Sequence, residues 1–129
     1  MEKTLQSRLM AFQKEVGAIS KDSTNPFFKS KYFDINGLIS AIKPLLEKNG
    51  LVLLQPLTNV DGKPALQTII SDDNKKIEGT IVLPELADPQ KMGSVITYYR
   101  RYAIQSMLML QAEDDDANKA TDKTNEFNI

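Results

Sequence analysis

The sequence predicts an α+β domain in which a three-stranded antiparallel meander packs against helices. Three observations predict it: two helix-period stretches at the front, three short alternating stretches in the middle, and one long capped helix at the end. Residues 3–17 place Leu5, Leu9, Phe12 and Val16 at spacings of four, three and four, the period of one helix face, and Gly17 is a plausible stop. Residues 20–33 break that period with turn formers followed by alternating aromatics and lysines, which reads as a loop or short hairpin. Asp34 is a good N-cap for a second helix lined by Ile35, Leu38, Ile39, Ile42, Leu45 and Leu46. Pro44 should kink that helix, because its nitrogen has no hydrogen to donate, and Asn49-Gly50 should end it with a left-handed cap. Leu51–Thr58, Ala65–Ser71 and Lys76–Leu83 read as strands, with Pro56 marking an edge or a strand end and Asp61-Gly62 a hairpin turn. The last helix starts at Asp88-Pro89 and should run to about Leu110. A sheet covered on one face by helices satisfies this order of elements.

Composition removes several function classes. With no cysteine and no histidine, the chain has no thiolate metal site, no disulfide framework and no imidazole base. No phosphate-binding loop of the G-x-x-x-x-G-K-[ST] type is present, so ATP hydrolysis on such a loop is excluded. No cofactor is expected. No stretch approaches the roughly 18 apolar residues of a membrane span, and Met1-Glu2-Lys3-Thr4 does not begin a signal peptide, so a cytoplasmic location is expected.

The net charge of −1 hides an asymmetry. Residues 1–112 carry 14 Lys and Arg against 11 acids, a net of +3, whereas residues 113–129 carry 2 Lys against 6 acids, a net of −4. We therefore expect a binding domain over 1–112 and an acidic, flexible tail over 113–129. A body of +3 is only mildly basic, so contact with a polyanion would use a local stripe or many subunits side by side.

Two segments carry the candidate chemistry. On the last helix, Met92, Val95, Ile96, Tyr99, Ala103, Met107 and Leu110 read as the core side. The opposite side carries Lys91, Ser94, Thr97, Tyr98, Arg101 and Gln105, with Arg100 at its border. Hydroxyls and cations on successive turns can follow a phosphate backbone, and Tyr98 can stack on a base. A solvated polar face is the competing reading, but no acid lies between Asp88 and Glu113, and ordinary exposed faces mix signs. In the loop, Lys29, Lys31 and Tyr32 pair ammonium groups with a ring, as a single strand requires, while Phe27, Phe28 and Phe33 read as core or subunit contacts. The run Asp114-Asp115-Asp116 reads as a solvated tail more readily than as a metal site.

Lys21-Asp22-Ser23-Thr24-Asn25-Pro26-Phe27-Phe28-Lys29-Ser30-Lys31-Tyr32 and Gly93-Ser94-Val95-Ile96-Thr97-Tyr98-Tyr99-Arg100-Arg101-Tyr102-Ala103 resemble the ERF (essential recombination function) family of phage single-strand annealing proteins. Leu45-Leu46 before Asn49-Gly50-Leu51, and Glu113-Asp114-Asp115-Asp116, also look like that family, and the likeness covers roughly residues 5–116. The resemblance implies a phage or prophage recombination protein acting in the bacterial host cytoplasm. It also implies a core similar to that of eukaryotic strand-annealing recombinases, a ring-shaped homo-oligomer, and a phage exonuclease or host single-strand-binding protein as partner. Carried over by motif, Lys29, Lys31, Tyr32, Ser94, Thr97, Tyr98, Arg100 and Arg101 are the nucleic-acid contacts, and Lys91 joins them from the helix pattern. Tyr99 departs from the family, which is expected to carry a small residue there, and no sizeable C-terminal domain is expected.

The expected function is ATP-independent annealing of complementary DNA strands, with no catalysis. The rival readings are a passive single-strand protector, a metal-dependent nuclease using Asp114, Asp115 and Asp116, and a non-enzymatic adaptor.

Overall fold

The computed structural model describes residues 3–19, 23–24, 31–32 and 34–112, with the side chains of 23–24, 31–32 and 112 left aside. The predicted contacts at Lys29 and the acidic tail over 113–129 lie outside the described residues.

Helix α1 (Leu5–Val16) starts at Thr4, whose hydroxyl accepts the Ser7 N–H at 3.1 Å while the Ser7 hydroxyl accepts the Thr4 N–H at 2.9 Å. This reciprocal cap satisfies two donors that the first turn leaves open. After Gly17 come three two-residue strands: β1 (Ala18–Ile19), β2 (Ser23–Thr24) and β3 (Lys31–Tyr32). Strands β2 and β3 form the short hairpin, in register Ser23 with Tyr32.

Helix α2 (Ile35–Lys48) is capped by the Asp34 carboxylate, which accepts the Gly37 N–H, and it continues through Pro44. It ends in paired backbone bonds, Leu51 N–H to Leu46 oxygen (2.9 Å) and Gly50 N–H to Glu47 oxygen (3.0 Å), with Gly50 at φ 70°. Glycine is favoured there on two counts. The backbone is left-handed, and a Cβ would run into the Arg8 guanidinium, which donates to the Asn49 carbonyl at 2.9 Å.

The antiparallel sheet is borne out, with four strands where three were expected, because the first is interrupted. Strands β4 (Val52–Leu54) and β5 (Leu57–Val60) share one edge of β6 (Lys63–Ser71) in a single register, Leu53 opposite Ile70 and Thr58 opposite Ala65. Pro56 lies in the break: its carbonyl accepts the Gln67 N–H at 3.0 Å, but it has no N–H to return the ladder bond, and the row is interrupted there. Asp61 (φ 52°) and Gly62 (φ 82°) make the two-residue turn from β5 to β6. Strand β7 (Lys76–Val82) pairs with the other edge of β6.

Helix α3 (Pro89–Leu108) begins at Asp88, whose carboxylate accepts the Gln90 N–H at 2.9 Å. It stops two residues earlier than the sequence pattern suggests. Met109 adopts a left-handed conformation, and Leu110 N–H returns to Gln105 oxygen at 3.0 Å. The chain then forms β8 (Gln111–Ala112), parallel to β1, a pairing that local pattern does not reveal.

All three helices cover one face of the sheet. Phe12, Leu38, Ile42, Leu46, Ile70, Ile104 and Leu108 form the main core cluster, and Leu66, Leu83 and Ala103 form a second one under the first half of α3. On the other face Val52, Leu54 and Val82 are exposed.

Two predictions follow from local geometry. Met109 is 76% exposed at φ 52°, so its side chain gains little and its backbone is strained. Met109→Gly should raise stability by roughly 0.5–1 kcal/mol in chemical denaturation; a loss would mean that the methionine side chain is held by a contact. Asp72 accepts the Lys75 N–H (2.7 Å) and the Asn74 N–H (2.8 Å), with Arg8 Nε at 3.7 Å. These bonds, the one from Lys75 first, hold its carboxyl below the usual carboxylate range. Its contribution is therefore complete above about pH 4, the ordinary value, and is lost as pH falls through the depressed folded value. Unfolding midpoints measured over an acid series should fall less steeply in Asp72→Asn than in the parent.

Candidate nucleic-acid interface

The rotation of α3 about its axis decides which side chains reach solvent. In its first half, Met92, Ile96, Tyr99 and Ala103 pack against Leu66 and Leu83. In its second half the burial turns toward α2, with Ile104 and Leu108 each 1% exposed. At the boundary, the Gln55 side-chain amide donates to the Thr68 hydroxyl at 3.0 Å and to the Arg100 carbonyl at 3.3 Å, pinning helix to sheet.

This rotation keeps part of the predicted stripe together and separates one member. Lys91, Ser94, Tyr98 and Tyr102 are exposed along one side, with Arg101, Thr97 and Gln105 half-buried along its flank. Arg100 does not sit at the border of that stripe. It turns the other way and lines a cleft of about 440 Å³ between α2 and β4, beside Ile39, Lys43, Leu53 and Gln55. The physical reason is spacing: Arg100 lies four residues before Ile104, so burying Ile104 carries Arg100 inward.

Tyr98 is the centre of the exposed side. Its ring meets Tyr102 at a centroid distance of 4.6 Å and Tyr99 edge-on at 5.3 Å, and the Arg101 guanidinium carbon lies 5.9 Å from the Tyr98 centroid. Such a cation near a ring face is attracted by the ring quadrupole. Tyr98 is 46% exposed and Tyr102 51% exposed, a large aromatic surface left toward water. Tyr102 shares this exposed side, although the sequence pattern did not single it out. It follows Tyr98 by four residues, which puts the two about 40° apart around the axis.

The two stripe hydroxyls are committed to the helix itself. Ser94 Oγ donates to the Gln90 carbonyl at 3.3 Å, and Thr97 Oγ1 donates to the Gly93 carbonyl at 3.1 Å. They offer lone pairs outward, and each must rotate before it can donate to a phosphate.

Strands β2 and β3 carry Lys31 and Tyr32, and the structure describes their backbone alone. The hairpin begins four residues after β1, which is paired with β8 just past the C-terminal end of α3. Among the described residues no cluster of three or more Asp and Glu could hold a metal ion. No described helix is long and apolar enough to cross a membrane.

The sequence model of the ERF superfamily matches residues 5–128, nearly the whole chain. The chain belongs to the ERF superfamily. ERF membership points to phage recombination by strand annealing, with single-stranded DNA as the ligand class. No curated protein matches the chain, and no solved structure does.

One property of the tyrosine pair is directly measurable. Hydrogen bonding to Tyr102, then the repulsion between the two phenolates, raises the Tyr98 phenol above its usual value. An alkaline ultraviolet titration should show one late-ionising tyrosine, and Tyr102→Phe should bring its transition down. An unchanged late transition in that variant would place the cause elsewhere.

Proposed function

We propose that the chain binds single-stranded DNA along the exposed side of α3 and promotes annealing of complementary strands without ATP and without catalysis. The observation that carries this reading is the exposed Tyr98–Tyr102 pair with Arg101 at its flank, on a stretch from Pro89 to Ala112 that contains no acid. Rings stack on any base, so the surface tolerates any sequence, and the missing carboxylates remove repulsion along the phosphate path. Lys91, Ser94, Thr97, Tyr98 and Arg101 form the helical part of the site, joined by Lys29, Lys31 and Tyr32 from the hairpin segment. Arg100 would reach the strand only from the α2 side, at the neighbouring cleft.

Annealing needs the strand held extended with most base edges outward, so that a second strand pairs without first melting hairpins. One protomer's modest charge gives weak binding, and a homo-oligomer multiplies it along one strand. A ring built on a core like that of the eukaryotic annealing recombinases, acting in the bacterial host cytoplasm with a phage exonuclease or host single-strand-binding protein as partner, completes the reading.

Arg101→Ala and Lys31→Ala should each weaken binding to a labelled oligonucleotide and reduce the slope of log affinity against log salt by about one contact. Unchanged affinity and slope in both would remove this site. Mixing two complementary labelled strands separates annealer from protector, since the former speeds pairing and the latter slows it. Cleavage in magnesium would support the nuclease reading, and the absence of any DNA shift at low salt the adaptor.

A further inference from the structure

Between α3 and β7 lies a groove of about 550 Å³, within the size range of small-molecule sites, roughly 300–1,000 Å³. Its lining includes Gly79, Thr80, Ile81, Tyr98, Tyr102 and Ser106, and no lining residue is charged. Aromatic faces, hydroxyls and a stretch of strand edge, with no charged side chain in the lining, suit a neutral, flat heterocycle that carries hydrogen-bonding groups on its rim.

The strand edge supplies the polar part. Leu83 N–H bonds to the Pro64 carbonyl at 2.8 Å, and antiparallel pairs alternate in which residues face the partner. The backbone N–H and C=O of Glu78, Thr80 and Val82 therefore point away from β6, where no described strand lies. Thr80 thus offers a donor and an acceptor side by side at the groove.

Gly79 supplies the room. It stands mid-strand, where glycine weakens β structure and often marks close approach of a ligand. Packing does not require it. A Cβ there would meet only the Met107 methyl carbon, at an ordinary 3.7 Å, and the backbone is not left-handed. A side chain at this position would rise from the inner face of β7 into the groove, below the tyrosines.

We propose that this groove holds one nucleobase of the bound strand, stacked against the Tyr98–Tyr102 pair, with its rim on the outward backbone groups of Thr80. The proposal rests on the single-stranded DNA reading of α3 and adds a register to it. One base per protomer is turned inward and withheld from pairing, while its neighbours stay outward. An extended peptide added to β7 is the competing occupant; it would use the length of the edge, whereas the depth is confined to the stretch around Gly79.

The test compares an oligothymidylate with an abasic strand of equal length, by fluorescence anisotropy on the full chain. Wild type should prefer the base-bearing strand by about tenfold, the scale of a stacked base. Gly79→Val and Tyr102→Ala should lose that preference and bind both strands as wild type binds the abasic one. Thermal unfolding checks the fold of Gly79→Val, and Tyr102→Ala, at an exposed position, decides the matter if the first variant is unstable. Equal wild-type affinity for both strands, or full preference retained in both variants, overturns base insertion and leaves the edge to a peptide, with phosphate binding intact. If neither strand binds at low salt, the DNA reading itself fails and base insertion falls with it.

Discussion

The packing of α3 across the sheet governs everything proposed for this molecule. Ile104 and Leu108 enter the cluster shared by α1, α2 and β6, while Ala103 and Ile96 enter the cluster over Leu66 and Leu83. A helix anchored in two clusters on adjoining sides cannot rotate without opening both. Removing Ile104 alone would cost on the order of 2–5 kcal/mol in lost burial and cavity formation. That anchorage exposes Tyr98 and Tyr102, sets Arg101 at their flank and turns Arg100 into the neighbouring cleft. It also brings Gly79 under the tyrosines.

Much of this was legible in the sequence, and the failures have a shared cause. Caps, turns and strand alternation are local, so Asp34, Asp88-Pro89, Asn49-Gly50 and Asp61-Gly62 marked their elements correctly. The side assignment of α3 was only half right. Its apolar residues at Met92, Val95, Ile96 and Tyr99 set the predicted core direction, but the second half packs on α2 through Ile104 and Leu108, about two fifths of a turn away. A single averaged face cannot represent a helix whose burial direction shifts along its length. Arg100 was placed beside the wrong face, and the exposure of Tyr102 passed over, for that reason. The β1–β8 pairing joins residues more than ninety positions apart in the chain, and two-residue strands carry no periodicity to read. The groove at Gly79 was invisible because its two walls come from separate elements, and a glycine in a strand looks like a defect until the neighbouring helix is in place.

Electrostatically the site is defined by what it omits. The whole chain is nearly neutral, and its body is only mildly basic. The stretch from Pro89 to Ala112 gains its character from three cations, three tyrosines and no acid. On the proposed reading, such an aromatic surface would bind through stacking with a modest salt-dependent contribution per protomer, and affinity would grow with the number of protomers on one strand. Weak individual contacts also suit annealing, in which a strand must be held open and then released as duplex.

The strand is proposed to lie on the exposed side of α3. Photo-crosslinking with bromodeoxyuridine oligonucleotides, mapped by mass spectrometry, tests it most directly. Adducts should fall on the α3 peptide at Tyr98 and Tyr102. Adducts confined to the opposite sheet face, at Val52, Leu54 or Val82, with α3 unmodified, would contradict that placement.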